Sequence, residues 1–140
     1  MIVLDTNVLS ALMREAPDPE VVAWLDEQPR NSVWISAITV LEVRFGLQVL
    51  PAGRRRSRLN LAFDRLLEDT IEQRIALFDF AAARHAGDLM AARQRKGRPG
   101  DLRDTMLAGI VVAHRATLAT RNLRHFDDLP VTVVSPWRQS

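Results

Sequence analysis

Three acids fall where a parallel α/β sheet would gather them. Asp5 follows the apolar triplet Ile2-Val3-Leu4, Glu42 interrupts the apolar run Val40 to Val43, and Asp104 opens the segment that leads towards Thr117 to Thr120. Asn122, in Thr120-Arg121-Asn122, makes a near-acidic fourth. Open α/β sheets bind ligands at the carboxyl ends of their strands. Carboxylates brought together there repel one another, and a hard divalent cation removes the conflict. The chain has no cysteine and only three histidines, so an oxygen-ligand site is the metal site its residues argue for. Mg²⁺ suits it, because that ion needs only one or two carboxylates and keeps several waters.

The same residues also suit plainer roles. Asp5 or Thr6 can cap the first helix, and Glu42 can be a solvated helix position. Asp104, three residues after Asp101, has the spacing of a capping box. An asparagine just past a strand is commonly a turn residue.

The elements that would position these residues alternate in type. Ile2–Leu4, Val33–Ile35, Arg74–Phe78, Thr117–Thr120 and Val131–Val134 read as strands. Helices are expected after Asp5, with Val8, Leu9 and Leu12, and after Asp18, with Val21, Val22 and Leu25. Ser36 caps a third, with Ile38, Leu41, Phe45 and Leu47 as its apolar set. An amphipathic helix through Leu59, Phe63, Leu66 and Leu67 follows the break at Pro51-Ala52-Gly53. Asp79 and Asp101 cap the last two, with Ala82, Ala86, Leu89 and Met90, and then Met106, Leu107, Ile110 and Val111, facing inward. No tight hairpin joins adjacent strands. The pattern predicts one α/β domain over 1–140, with a mostly parallel sheet of about five strands covered by helices on both faces.

Composition sets outer bounds. At 140 residues, 47% hydrophobic and 26% charged, the chain fits a globular domain. It has no apolar run long enough to span a membrane and no secretory leader pattern. The lack of cysteine suits the cytoplasm. The formal net charge of +2 does not by itself announce a nucleic-acid partner, although Lys96 is the only lysine among 19 cationic side chains. Arginine forks match phosphate geometry.

Asp5-Thr6-Asn7, the stretch Ser36-Ala37-Ile38-Thr39-Val40-Leu41-Glu42-Val43-Arg44-Phe45-Gly46, and Asp104-Thr105-Met106-Leu107-Ala108 followed by Ala119-Thr120-Arg121-Asn122 resemble PIN-domain ribonucleases. The likeness is to the VapC-type toxins of bacterial type II toxin–antitoxin pairs, in particular the FitB-like branch, and it runs in order along essentially the whole chain. It implies a PIN-like fold and an endoribonuclease dependent on Mg²⁺ or Mn²⁺. By position, Asp5 and Asp104 would be metal ligands, and Glu42 a third acid that binds metal or orients water. Thr6 and Ser36 would steady the acids through hydrogen bonds. The family often carries a fourth acid where this chain has Asn122, which can still offer an uncharged carbonyl oxygen to a metal or a metal-bound water; Asp127 or Asp128 would be an offset substitute. That departure leaves the number of ions, and the strength of catalysis, open. The resemblance further implies a homodimer and a VapB-like antitoxin.

Two basic segments fit an RNA substrate in this light: Arg54, Arg55, Arg56 and Arg58, then Arg93, Arg95, Lys96 and Arg98. Either could instead be a solvated helix end. Two rival readings remain in view. One is a catalytically weak or inactive PIN scaffold that works as a binding module with its antitoxin. The other is phosphoryl transfer through an aspartyl nucleophile at Asp5, which the Asn at position 7 disfavours.

Overall fold

The computed structural model describes residues 1–137, so the last three positions of the expected 1–140 domain lie outside the described residues. Five strands occupy Ile2–Leu4 (β1), Val33–Ser36 (β2), Ile75–Ala76 (β3), Thr117–Ala119 (β4) and Val133–Val134 (β5). Six α-helices occupy Thr6–Met13 (α1), Pro19–Asp26 (α2), Ala37–Gln48 (α3), Arg54–Arg65 (α4), Phe80–Arg95 (α5) and Leu102–His114 (α6). All strand pairings are parallel, in the order β3-β2-β1-β4-β5. The order reverses beside β1, so Asp5 leaves the sheet at the switch point where α/β folds bind ligands.

Strand alternation divides the core in two. Leu4 and Ile35 face Val8, Leu9, Val21, Val43 and Phe63, the layer built by α1 to α4. Val3 and Leu118 face Leu107, Ala108 and Val111 of α6. Helices therefore cover both faces, as a fully parallel sheet requires. Side chains cap the helices where the sequence placed them: Asp18, Ser36, Asp79 and Asp101 each accept a first-turn backbone N–H. Helices α5 and α6 pack closely across Gly109, where a Cβ would lie 2.4 Å from the Ala82 carbonyl oxygen.

Several expectations need correcting. Strand β3 covers only Ile75–Ala76 rather than Arg74–Phe78. Leu77, within the expected strand, lies beyond the ladder and is 63% exposed. Arg74 instead fastens this edge, donating from Nε to the Val33 carbonyl and from Nη2 to those of Arg30 and Thr70. On α3 the buried set is Ile38, Thr39, Val43 and Leu47, while Leu41 and Phe45 are exposed. That helix is apolar on most sides, so periodicity alone chose the wrong stripe. On α5, Met90 is exposed and Arg93 takes the inner position in line with Ala82 and Ala86. Helix α4 passes into a π-helical turn at Leu66–Thr70, and Glu72 and Gln73 after it adopt positive φ.

Candidate active site

Asp5 is the N-cap of α1 as well as the acid at the end of β1. Its Oδ1 accepts the Thr6 N–H at 2.7 Å. Its Oδ2 accepts the Thr120 hydroxyl at 2.8 Å and the Asn7 amide at 3.3 Å. The residue is only 5% exposed. Burial pushes the Asp5 carboxyl above its ordinary value; the Thr120 and Thr6 hydrogen bonds oppose the shift, and the nearby charges of Asp104 and Glu42 add to it. The capping reading of Asp5 thus holds, and the cap leaves its carboxylate at the end of β1.

Glu42 reaches the site from the second turn of α3. Its Oε1 accepts the Thr6 hydroxyl at 2.7 Å, and Thr39 Oγ1 lies 3.1 Å from that hydroxyl. Arg103 of α6 stands 3.7 Å from Glu42 Oε2, a contact across the cleft. Asp104 sits in the first turn of α6, where its N–H donates to Asp101, and its Oδ2 lies 3.1 Å from His125 Nδ1. Thr6 therefore does steady an acid, Glu42. Ser36 does not: its hydroxyl accepts the Thr39 N–H and caps α3.

Asn122 is exposed, and its backbone N–H donates to Thr120 Oγ1 at 3.0 Å. It meets Asp5 only through Thr120. Asp128, considered above as a substitute acid, is occupied elsewhere: the Arg93 guanidinium grips it at 2.8 and 2.9 Å and holds its carboxyl below the ordinary range. Arg93 is accordingly no RNA guide, being 6% exposed and bonded also to Thr105 and to the His125 carbonyl.

Of the other cations, Arg55 lines a groove with Glu42 and Thr6, while Arg98 lines a separate cavity with Asp104. Arg54 is exposed at the start of α4, and Arg56 hydrogen-bonds Gln48. The sequence alone did not single out Thr120, Thr39, Arg103 or His125. Only Thr120 carried a local signal, a hydroxyl at a strand end two residues before Asn122.

The donor set can be tested against a cation. Among the described residues, no three His, Asp or Glu side chains stand close enough to hold one ion by themselves. An ion here would therefore use one or two carboxylates and complete its shell with water, the habit of Mg²⁺. The electrostatics agree, since Asp5 bears a charge disfavoured by burial and by two neighbouring acids. An oxygen-preferring divalent cation fits these residues.

Residues 2–131 match the PIN domain family. The VapC ribonuclease Y4jK of Sinorhizobium fredii is 39% identical over 98% of both chains. Toxin FitB of Neisseria gonorrhoeae is 34% identical over 98% of this chain and 99% of its own. The crystal structure of FitAcB from the same organism superimposes with a TM-score of 0.85 at 34% identity, covering 99% of this chain and 100% of that one. A structure of FitAB bound to an IR36 DNA fragment superimposes with a TM-score of 0.88 at 33% identity, covering 100% of this chain and 98% of that one.

Proposed function

The chain belongs to the PIN-domain family, and on that premise we propose that it is the toxin of a type II toxin–antitoxin pair, a metal-dependent endoribonuclease acting in the cytoplasm. Its partners are RNA, a VapB-like antitoxin and a second copy of itself. Among the described residues, no helix is long and apolar enough to cross a membrane.

One observation carries the reading. Asp5 keeps a carboxylate at the sheet's switch point, under Asp104 and Glu42, in surroundings that disfavour its charge. The cap on α1 alone does not call for two further acids near a buried carboxylate, and strained electrostatics of this kind cluster at functional sites.

Asp5 and Asp104 are the residues that would hold Mg²⁺ or Mn²⁺. When bound, the ion supplies positive charge to the scissile phosphodiester and to the attacking water. Thr120 and the Thr6 N–H fix the Asp5 carboxylate, so its lone pairs are presented in one orientation. Thr6 fixes Glu42, which orients the water and takes its proton. Arg55 on the Glu42 side offers a fork to the RNA backbone.

Asp5→Asn tests the reading. RNA cleavage should fall by at least about 100-fold, with growth inhibition lost and the fold intact. An Asp5→Asn enzyme that cuts RNA like the parent would refute it.

A further inference from the structure

Asp104 also lines a cavity of about 320 Å³ whose wall does not include Glu42 and that no step above uses. Its wall carries four acids, but three are committed. Asp128 is paired with Arg93, Asp101 caps α6, and Asp104 belongs to the candidate active site. Asp127 is left, sharing the wall with Lys96, Arg98 and Arg124. All three cations are exposed, and among the described residues neither Arg98 nor Arg124 has an ion pair or a side-chain hydrogen bond. Of the charged groups left uncommitted on this wall, three are cations and one is an acid, next to the site proposed for a phosphodiester.

The backbone turns that carry the cations are fixed before any ligand arrives. Helix α5 ends in a left-handed turn at Gly97, φ 68°, with Gly97 N–H bonded to the Gln94 carbonyl and Arg98 N–H to that of Arg93. That is the Schellman closure, and it fixes the backbone from which Arg98 projects. Arg124 and His125 project from the 3-10 turn Leu123–Phe126, whose His125 carbonyl accepts from Arg93 Nη2 at 2.9 Å. One buried arginine thus anchors both cation-bearing turns, through its carbonyl and its guanidinium. A fixed backbone removes part of the freedom that binding would otherwise cost, although the side chains themselves are ordered only by the ligand.

We infer that this cavity binds a backbone phosphate of single-stranded RNA adjacent to the scissile one, with Arg98 and Arg124 as its principal contacts and Lys96 contributing charge. The inference rests on the ribonuclease reading for the identity of its ligand. It gives the strand a direction: past Arg55 and Glu42, over Asp5 and Asp104, into the Arg98–Arg124 cavity. Arg98 thereby acquires a geometric role, and Arg124 joins it.

The experiment measures fluorescence anisotropy of a labelled single-stranded oligoribonucleotide with the full chain in EDTA, where no cleavage occurs. Salt is varied between about 50 and 200 mM. Arg98→Ala and Arg124→Ala should each weaken binding several-fold and flatten the log–log salt slope by about 0.7, the value for one lost single-strand phosphate contact. Arg98→Lys should restore most of the slope. Arg65→Ala, which removes an exposed cation from α4, should leave the slope unchanged. With Mn²⁺ or Mg²⁺ added, the cavity variants should raise KM while kcat stays within about twofold, because the contact is made equally in ground and transition states.

Slopes like the parent's in both cavity variants, or an equal loss in Arg65→Ala, would overturn the inference. If the slopes fall as stated but the parent never cuts RNA, the cavity stands and the nuclease reading fails. If the parent cuts RNA and the slopes do not move, the cavity alone fails.

Discussion

Arg93→Met keeps the buried stem and removes the guanidinium, so it isolates the polar network under the site. The fork makes two bonds to Asp128, one to Thr105 Oγ1 at 3.1 Å and one to the His125 carbonyl at 2.9 Å. Side-chain exposure is 7% for Arg93 and 29% for Asp128. Breaking a buried pair costs about 3–5 kcal/mol. Asp128 can regain water and Thr105 keeps its bond to the Asp101 carbonyl, which places the cost near the lower end, about 3 kcal/mol. For a chain of this size that lowers Tm by roughly 10 °C.

The sign with pH is fixed by Asp128. Its carboxyl is held below the ordinary value, so the stabilisation is fully present above about pH 4 and is lost as pH falls through the folded value. Thermal unfolding followed by circular dichroism, on parent and variant from neutral to acid pH, should show a gap that closes in acid. A gap under about 3 °C at neutral pH, or one that widens on acidification, would refute the reasoning.

Asp5→Asn should raise neutral-pH stability while it abolishes cleavage. A carboxyl held above its ordinary value contributes stability below about pH 4 and loses it as pH rises through the folded value, so removing the charge should raise the midpoint of thermal unfolding at pH 7. Thr120→Val should push the Asp5 carboxyl further up by removing the 2.8 Å hydroxyl bond; calorimetric Mn²⁺ titration should then show about 10- to 100-fold weaker binding. Gly109→Ala should cost about 3 kcal/mol in denaturant unfolding, because the new Cβ meets the backbone oxygen of Ala82 rather than a side chain that can move.

The parallel frame was legible because its signals are local. Asp18, Ser36, Asp79 and Asp101 cap their helices through their own side chains, and β1, β2 and β4 are short apolar runs between helical patterns. Asp5, Glu42 and Asp104 were legible as candidates because topology alone sends β1, α3 and α6 to one sheet edge. What escaped was pairing across sequence. Arg93 reads as one more cation in a basic run, and only its partner 35 residues later shows it to be a core residue. His125 meets Asp104 across 21 residues, and Thr120 meets Asp5 across 115. Leu41 and Phe45 misled in the opposite sense, since apolar residues on most sides of α3 say little about which side is covered.

The most direct test of the acidic site as a metal-dependent nuclease is cleavage of a mixed RNA substrate by the purified, antitoxin-free protein. It is run with Mg²⁺ or Mn²⁺, then with EDTA, beside Asp104→Asn. Cutting that requires the ion, stops with EDTA and is lost in a folded Asp104→Asn is the predicted result. Cutting that persists in EDTA or in the variant, or no cutting by the folded parent, would contradict it.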